Sequence, residues 1–538
     1  MDSKINWRTP RTTDARHSIF YRPLWSALLL GLVCMLLLSA CGSGSSSNTT
    51  STTPKKGGDI TVGLFADPIT LDPLTSTSLY ASDVMTNLYD SLFRYNTQTV
   101  LEPDLATSYK FITSTELQLI LRTDVKFQDG TPFNAQAVVF NIERFLNDPA
   151  SPRYTNVTDI SAVKATSDSQ VVINLKKPFG AILDVLAGPV GTILSPTAIK
   201  KLGSQLGNDP VGAGSGPFVF SKWIKSNYLK ITANPNYWQK DAQGNKLPYL
   251  QSVTFKPITD GTVMYNNLQT NQIQIATSVN PNLVTQMKSN PALTYNQVIG
   301  PGFGTIQFNT AAAPLNNVHV RRAVAWGINR QEILQNVNKG VGMVANGPIS
   351  PASWAFSKTY SSYSYNVNTA KSELAQAGVS KVSFNLIISS GSPTILQEAQ
   401  FIQAELQPVG ITVNIKQETF DALIADYDAL HYQALLVGWT GDPDPDGTMY
   451  AMFTSTGSLN YNKYSDPQVD TLLNEGRTTL DQAQRAQYYQ QAEALIVQDV
   501  PAVFVTWSAV QQLTTSKVKN YPLLTSGVTR LTSVYLSS

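Results

Sequence analysis

An acidic stretch in the C-terminal third of the chain carries side chains suited to binding a charged ligand. It reads WTGDPDPDG over residues 439–447. Asp442, Asp444 and Asp446 offer carboxylates, whose charge-assisted hydrogen bonds are roughly twice as strong as neutral ones. Trp439 supplies an apolar wall beside them. The stretch is therefore a candidate ligand-binding site, and the alternative is a rigid acidic loop without a ligand.

The same aspartates also suggest a calcium site. Asp442, Asp444, Asp446 and Gly447 match the first half of an EF-hand loop. The twelfth position of that loop, which should be a bidentate glutamate, is Phe453, and two prolines stiffen the segment. The sequence therefore predicts no metal site and no cofactor.

Side chains for covalent or metal-assisted catalysis are scarce. The chain has three histidines and two cysteines. His17, Cys34 and Cys41 fall in the N-terminal segment, which leaves His319 and His431 for the body of the protein. No P-loop, G-x-S-x-G or H-E-x-x-H motif is present. These absences disfavour an enzyme, although a cell-surface peptidase using an acidic pair stays an alternative.

Charge and length narrow the class of protein further. The formal net charge is +2 and only 14% of residues are charged. No basic face is visible, so we expect no nucleic-acid partner. The body of about 480 residues exceeds one compact core and predicts at least two domains.

The elements around the acidic stretch predict an α/β fold. An apolar strand over residues 434–437 precedes it, which places it at the carboxyl end of a strand, where open α/β sheets form crevices. Residues 382–415 read as strand, helix and strand, with Ser392 and Pro393 starting the helix and Gly410 ending it. Short apolar runs and one helix over residues 135–146 predict a mixed, antiparallel region in the middle of the chain.

The N-terminal residues predict export. Basic residues precede an apolar run over residues 24–38, which is shorter than the roughly 20 residues that a spanning helix needs. It ends in Leu38-Ser39-Ala40-Cys41, which resembles a bacterial lipobox. We expect a lipoprotein signal peptide over residues 1–40, a lipid on Cys41 and a disordered tether over residues 41–56. An ordinary signal peptide or an anchor helix is the alternative.

Seven segments along the chain resemble one family, the extracellular solute-binding proteins of dipeptide, oligopeptide and nickel ABC importers (family 5). They keep the family's order along the chain, although the second has Gln128 where the family commonly has histidine. In order they are LDP at 71–73, LRTDVKFQDGTPF at 121–133, GSGPF at 214–218, NPNYW at 234–238, LPYL at 247–250, VRRAVAWGINR at 320–330 and GWTGD at 438–442.

The resemblance implies a two-lobed, periplasmic-binding-protein-like α/β fold of class II, with a cleft between the lobes. We expect lobe I over residues 57–303 and 508–538, with an added mixed subdomain at about 100–220. Lobe II should span residues 304–507, and the chain should cross between the lobes near residues 302–308 and 506–510.

The resemblance also implies where a ligand binds. In dipeptide binders of the family, the aspartate that matches Asp442 pairs with the α-ammonium of the ligand. A facing segment on lobe I offers backbone and hydroxyl groups. The implied ligand-binding residues are Ser76, Thr77, Ser78, Trp439, Thr440, Gly441 and Asp442.

The function implied is that of the extracellular substrate-binding component of an ABC importer. A short peptide is the favoured ligand, and an oligosaccharide or a metal chelate is the alternative. Expected partners are the permease subunits and, through the lipid on Cys41, the outer face of the cell membrane; the protein itself is expected to be a monomer. A receptor that reports ligand occupancy to a membrane sensor would have the same sequence features.

Overall fold

The computed structural model describes residues 54–278 and 280–537. The predicted signal peptide, the lipid site at Cys41 and residues 41–53 of the predicted tether lie outside the described residues. Within those ranges, no helix is both long and apolar enough to cross a bilayer.

The strands and helices are numbered here in chain order. The strands are β1 Asp59–Leu64, β2 Phe93–Tyr95, β3 Leu101–Pro103, β4 Ala106–Thr113, β5 Glu116–Leu121, β6 Ile160–Ser167, β7 Gln170–Leu175, β8 Phe218–Ile224, β9 Tyr228–Ala233, β10 Ser252–Pro257, β11 Ile275–Ala276, β12 Leu293–Phe308, β13 Met343–Val344, β14 Val382–Ser389, β15 Ile411–Glu418, β16 Ala434–Trp439, β17 Ala502–Thr515, β18 Val518–Lys519 and β19 Tyr535–Leu536. The α-helices are α1 Leu79–Leu88, α2 Ala135–Leu146, α3 Ile182–Ala187, α4 Pro196–Leu202, α5 Gly261–Gln269, α6 Val284–Ser289, α7 Val318–Gly327, α8 Arg330–Glu332, α9 Val367–Gln376, α10 Pro393–Leu406, α11 Phe420–Ala429, α12 Ala451–Phe453, α13 Pro467–Thr478 and α14 Gln482–Asp499.

The predicted strand–helix–strand unit is confirmed as β14, α10 and β15. Ser392 caps α10 by accepting a hydrogen bond from the Ile395 amide, and Pro393 is the first helical residue. Gly410 ends the helical segment with a φ of +104°, a conformation that glycine adopts without steric cost. The strands β14 and β15 then pair in parallel, with Leu386 opposite Ile415.

Two long strands carry the chain between the halves of one large sheet, whose order is β15-β14-β16-β12-β17-β11-β1-β10-β9-β8. The C-terminal half of β12 pairs with β16, and the C-terminal half of β17 pairs with β11. The β12–β17 register is interrupted between Ile299 and Phe303. The predicted crossings at residues 302–308 and 506–510 fall within these strands.

Separate apolar cores define the two lobes. One core combines β1, α1 and β8–β10 with returning C-terminal residues such as Val518 and Leu531. Two cores formed by residues 303–507 fill the other lobe. A further core lies against the antiparallel sheet β4-β5-β7-β6 and α2, and it draws on residues from Leu74 to Ile193. The two-lobed fold and the mixed subdomain in the N-terminal lobe are therefore as predicted.

Two segments that carried the family resemblance have structural roles in the fold. The Gln128 side-chain amide donates to the carbonyl of Phe218 at 2.8 Å, which ties the DGTP turn to β8. The buried Arg321 guanidinium donates to the carbonyls of Asp499 and Val500. These side chains stabilise loops and helix ends rather than face the cleft.

Candidate ligand-binding cleft

The loop that follows β16 lies where the chain crosses between the lobes. Trp439, the last residue of β16, pairs with Phe303 of β12. Gly441 has a φ of +67°, and a Cβ atom at this position would lie 3.0 Å from the Gly302 amide nitrogen. Because a side chain would be strained and would collide with β12, Gly441 allows the loop to rest directly on the crossing strand.

Asp442 is accessible to solvent, although protein lies close around it. The residue is solvent-exposed, yet protein surrounds it so closely that burial is the main cause raising the pKa of its carboxyl group. Thr448 Oγ1 lies 3.3 Å from Asp442 Oδ2 and donates to it, which opposes that rise. A carboxylate that is accessible to water but largely enclosed is well placed to pair with a ligand cation.

The neighbouring aspartates are engaged by arginines of the same lobe. Arg485 donates to both carboxylate oxygens of Asp444, at 2.7 and 2.8 Å. Arg477 Nη1 donates to Asp446 Oδ2 at 2.7 Å. Burial raises the pKa of Asp446 to about 6, and the charge of Arg477 lowers it. These two carboxylates therefore hold the loop in place, whereas Asp442 keeps its carboxylate available.

The N-terminal lobe adds a fourth carboxyl group to this region. Asp184 in α3 accepts a hydrogen bond of 2.6 Å from the Tyr95 hydroxyl. Burial raises the pKa of Asp184 well above its usual range, and the charges of Asp444 and Asp442 raise it further. Carboxyl groups from both lobes thus approach one another, and the raised pKa favours the neutral, protonated form of Asp184.

Arg153 brings a positive charge to Asp442 from the opposite lobe. Burial lowers the pKa of Arg153, and the negative charge of Asp442 opposes that shift. Arg153 Nε donates to the Ser76 carbonyl at 3.2 Å, and Ser151 Oγ donates to the Leu74 carbonyl at 2.6 Å. The segment before α1 and the segment after α2 therefore pack together and orient the guanidinium.

The residues predicted on lobe I have different surroundings. Ser76 is buried, with 3% of its surface exposed, and its carbonyl orients Arg153. Ser78 caps α1, because its Oγ accepts from the Ala81 amide. Thr77 is exposed, so its hydroxyl is free to meet a ligand.

The predicted lobe II residues lie next to one another at the crossing. Thr440 and Asp442 are exposed, while Trp439 is partly buried and packs against the core that contains Phe303. Sequence reasoning missed Arg153, Asp184, Arg477 and Arg485. No local motif marks these residues, because each one interacts with a residue more than 30 positions away in the chain.

Two lobes joined by two long strands, with charged side chains of both lobes close to the junction, are the architecture of a two-lobed solute-binding protein. The sequence profile of the bacterial extracellular solute-binding proteins, family 5 (middle region), matches residues 100–460. The chain belongs to this family, and its class of function is that of the substrate-binding component of an ABC importer.

Curated relatives and solved structures agree with this assignment. The glutathione-binding protein GsiB of Shigella flexneri is 29% identical over 479 residues, covering 86% of this chain and 91% of GsiB. The periplasmic binding protein DppA of Helicobacter pylori, solved with the peptide STSA, is 25% identical, with a TM-score of 0.75 over 90% of this chain and 99% of DppA. The substrate-binding protein CtaP of Listeria monocytogenes shares the fold, with a TM-score of 0.81 at 20% identity over 90% of this chain and 100% of CtaP.

Proposed function

We propose that this protein captures a short peptide between its lobes and delivers it to the permease subunits of an ABC importer. The observation that carries the proposal is the electrostatic interaction between the opposite charges of Asp442 and Arg153, which belong to different lobes. A peptide is a zwitterion, so its ammonium and carboxylate match this arrangement. GsiB and DppA, which bind glutathione and a tetrapeptide, support the choice of peptide.

In this proposal the ammonium of the peptide pairs with Asp442. A charge-assisted bond formed in an enclosed site is stronger than the same bond in open water. Trp439 forms an apolar wall, and Thr440, Gly441 and Thr77 offer backbone and hydroxyl groups. Ser76 and Ser78 contribute indirectly, by orienting Arg153 and by capping α1.

Arg153 is the proposed partner of an anionic group on the ligand. A guanidinium presents a planar fork of donors that matches a carboxylate. Within the described residues, the Arg153 side chain makes one hydrogen bond, which runs from Nε to the Ser76 carbonyl. Its Nη groups are therefore available for the ligand.

Contacts from both lobes explain how a ligand drives closure. A ligand shifts a conformational equilibrium only if it binds one state better than the other. Asp442 and Arg153 belong to different lobes, so both reach one ligand only when the lobes are together. The closed form is then stabilised by the ligand that it encloses.

We expect a lipid on Cys41 to hold the body at the outer face of the membrane, beside the permease, with the protein acting as a monomer. Stable anchoring needs more than one acyl chain, and lipoprotein processing supplies these. We assign no catalytic step to the protein.

Thermal unfolding with a panel of compounds tests the peptide assignment. The panel contains glutathione, the peptide STSA, oligosaccharides and nickel–histidine, the last because NikZ of Campylobacter jejuni, 25% identical, was solved with Ni(L-His). A ligand at 100 times its Kd adds about 2.7 kcal/mol to the free energy of unfolding. A shift with peptides alone supports the proposal. A shift of the unfolding temperature with sugars or nickel–histidine, but not with peptides, overturns it.

Mass spectrometry of the peptides after long incubation with the protein detects any peptidase product.

A further inference from the structure

A second set of charged contacts joins the lobes, apart from the proposed ligand contacts. On the N-terminal lobe it comprises Asp159, Phe179 and Gly180, which belong to or adjoin the subdomain core. On the C-terminal lobe it comprises Arg477 at the end of α13 and Arg485 in α14. These five residues are called the interlobe latch below.

Arg477 bridges carboxylates of both lobes. Its Nη2 lies 3.1 Å from Asp159 Oδ2 on the N-terminal lobe, and its Nη1 lies 2.7 Å from Asp446 Oδ2 on its own lobe. The guanidinium also stacks on aromatic rings from each side, 4.7 Å from the Phe179 centroid and 4.3 Å from that of Tyr450. Arg477 and Asp159 are each only 14–16% exposed, so solvent screens this pair less than an open surface pair.

The backbone of Gly180 is held between the two arginines. Its amide donates to the Arg477 carbonyl at 2.8 Å, and its carbonyl accepts from Arg485 Nη1 at 3.1 Å. A Cβ atom on Gly180 would collide with the backbone carbonyl oxygen of Thr479 and would lie 2.8 Å from Arg485 Nε. Only a glycine therefore lets the two lobes approach this closely.

The same arginines hold the loop that carries Asp442. Arg485 binds Asp444 and Arg477 binds Asp446 within the C-terminal lobe. These bonds do not depend on the other lobe, so they persist when the lobes part. The arginines are thus pre-organised to meet Asp159 and Gly180, which lowers the entropic cost of closing.

We propose that Arg477 and Arg485 are positioning residues that latch the lobes together and couple closure to the placement of Asp442. The inference rests on the proposed function, since a latch on lobe closure matters for a protein that encloses its ligand. The contacts to Asp159 and Gly180 exist only in the closed form. They slow opening, and so they lengthen the time for which a ligand stays bound.

Two variants break the latch from the N-terminal lobe, away from the proposed ligand contacts. Asp159→Asn removes the charge that Arg477 meets across the cleft. Gly180→Ala inserts a methyl group against the Thr479 carbonyl and Arg485 of the other lobe. Gly180 does not have a positive φ, so alanine causes no backbone strain there. Lys177→Gln is the matched control, because Lys177 lies 3.6 Å from Asp159 within the same lobe.

Small-angle X-ray scattering of the ligand-free protein tests the latch without any ligand. We expect a larger radius of gyration for Asp159→Asn and Gly180→Ala than for the wild type and Lys177→Gln. Equal radii for all four proteins would overturn the inference, whichever ligand the protein binds.

Dissociation kinetics provide the second test, with glutathione and the peptide STSA as probes. We expect Asp159→Asn to raise the dissociation rate at least about tenfold, with a smaller change in the association rate. Arg477→Lys keeps the charge but loses the planar guanidinium. Its dissociation rate should lie between those of Arg477→Gln and the wild type. Unchanged dissociation rates in these variants contradict the latch. If neither probe binds the wild type, the peptide assignment is contradicted but the latch is not. The scattering experiment needs no ligand and still tests the latch.

Discussion

Arg485 and Asp444 form a two-pronged ion pair in which both oxygens of the carboxylate receive a guanidinium hydrogen bond, at 2.7 and 2.8 Å. Both side chains are almost fully buried, at 4% and 6% exposure. The pair fixes the acidic loop between α14 and β16, two residues from Asp442. The loop's geometry therefore depends on a residue 41 positions away in the chain.

The first prediction concerns stability. Arg485→Met should lower the free energy of unfolding by about 3–5 kcal/mol, because it leaves the buried Asp444 carboxylate without a partner. Adding Asp444→Asn should recover part of that loss, since the uncompensated charge is removed. Urea denaturation measures both. Asp124→Asn is the control, because Asp124 is 59% exposed in its pair with Arg122. This substitution should lower the free energy of unfolding by about 1 kcal/mol or less. An equally small effect of Arg485→Met would contradict the prediction.

The second prediction concerns the ammonium of the ligand. Asp442→Asn should weaken binding of a peptide with a free amino terminus by about 2–5 kcal/mol. Isothermal titration calorimetry against the same peptide with an acetylated terminus measures the difference. The exposed Asp421→Asn on α11 is the control. Unchanged affinity for the free amine would remove Asp442 from the site.

The third prediction is the pH dependence of this binding. Burial raises the pKa of the Asp442 carboxyl group, so it is protonated at a higher pH than an ordinary aspartate. The ion pair with an ammonium needs the carboxylate, and affinity should therefore fall as the pH falls through this raised pKa. Titrations across the acidic range measure the fall, which should be absent in Asp442→Asn. If the affinity of Asp442→Asn falls with pH in the same way, another titrating group causes the fall.

The fourth prediction tests Arg153 as the partner of an anionic group. Arg153→Met should weaken the binding of a peptide with a free C-terminal carboxylate by about 2–5 kcal/mol. Binding of the same peptide with a C-terminal amide should weaken far less. Arg153→Lys should keep part of the difference, because the charge remains while the planar fork is lost. Paired calorimetric titrations of acid and amide provide the measurement. An equal loss for both peptides would show that Arg153 supports the fold rather than the ligand.

The fifth prediction concerns Glu493, a buried acid on α14. Burial raises its pKa to about 8, although the Ile349 amide donates to its carboxylate at 3.0 Å and lowers it. The folded state therefore binds a proton that the unfolded state releases near pH 4, and stability should fall as the pH rises from about 4 to 8. Glu493→Gln should raise the free energy of unfolding at pH 8 by roughly 1–3 kcal/mol and change it little at pH 4. Denaturation at both pH values measures this; an equal effect at both would contradict it.

Much of the local structure was predictable because its causes are local. The helix from Pro393 begins at a serine cap and a proline, and the strands beside it alternate apolar and polar residues. The helix over residues 135–146 matched its predicted bounds. The acidic loop was recognisable from its composition, and its position after β16 followed from the apolar strand before it.

The two sides of the cleft were not predictable in the same way. Ser76 and Ser78 belong to a polar segment that the sequence marks as a ligand loop, and in the fold the Ser76 carbonyl accepts from Arg153 while the Ser78 hydroxyl caps α1. Arg153 shows the opposite case, since nothing near it in sequence marks it as a cleft residue. Burial and partner choice depend on the tertiary fold, which local patterns do not encode.

The sequence by itself determined the family and the class of fold, because the order and the short-range spacing of motifs specify these. Only the tertiary structure decided which charges meet. It brought Arg153 to Asp442, and it placed Asp159 against Arg477 across 318 positions of chain. Contacts of that separation arise from the way β12 and β17 join the lobes, so they follow from the completed fold and not from any segment of the sequence.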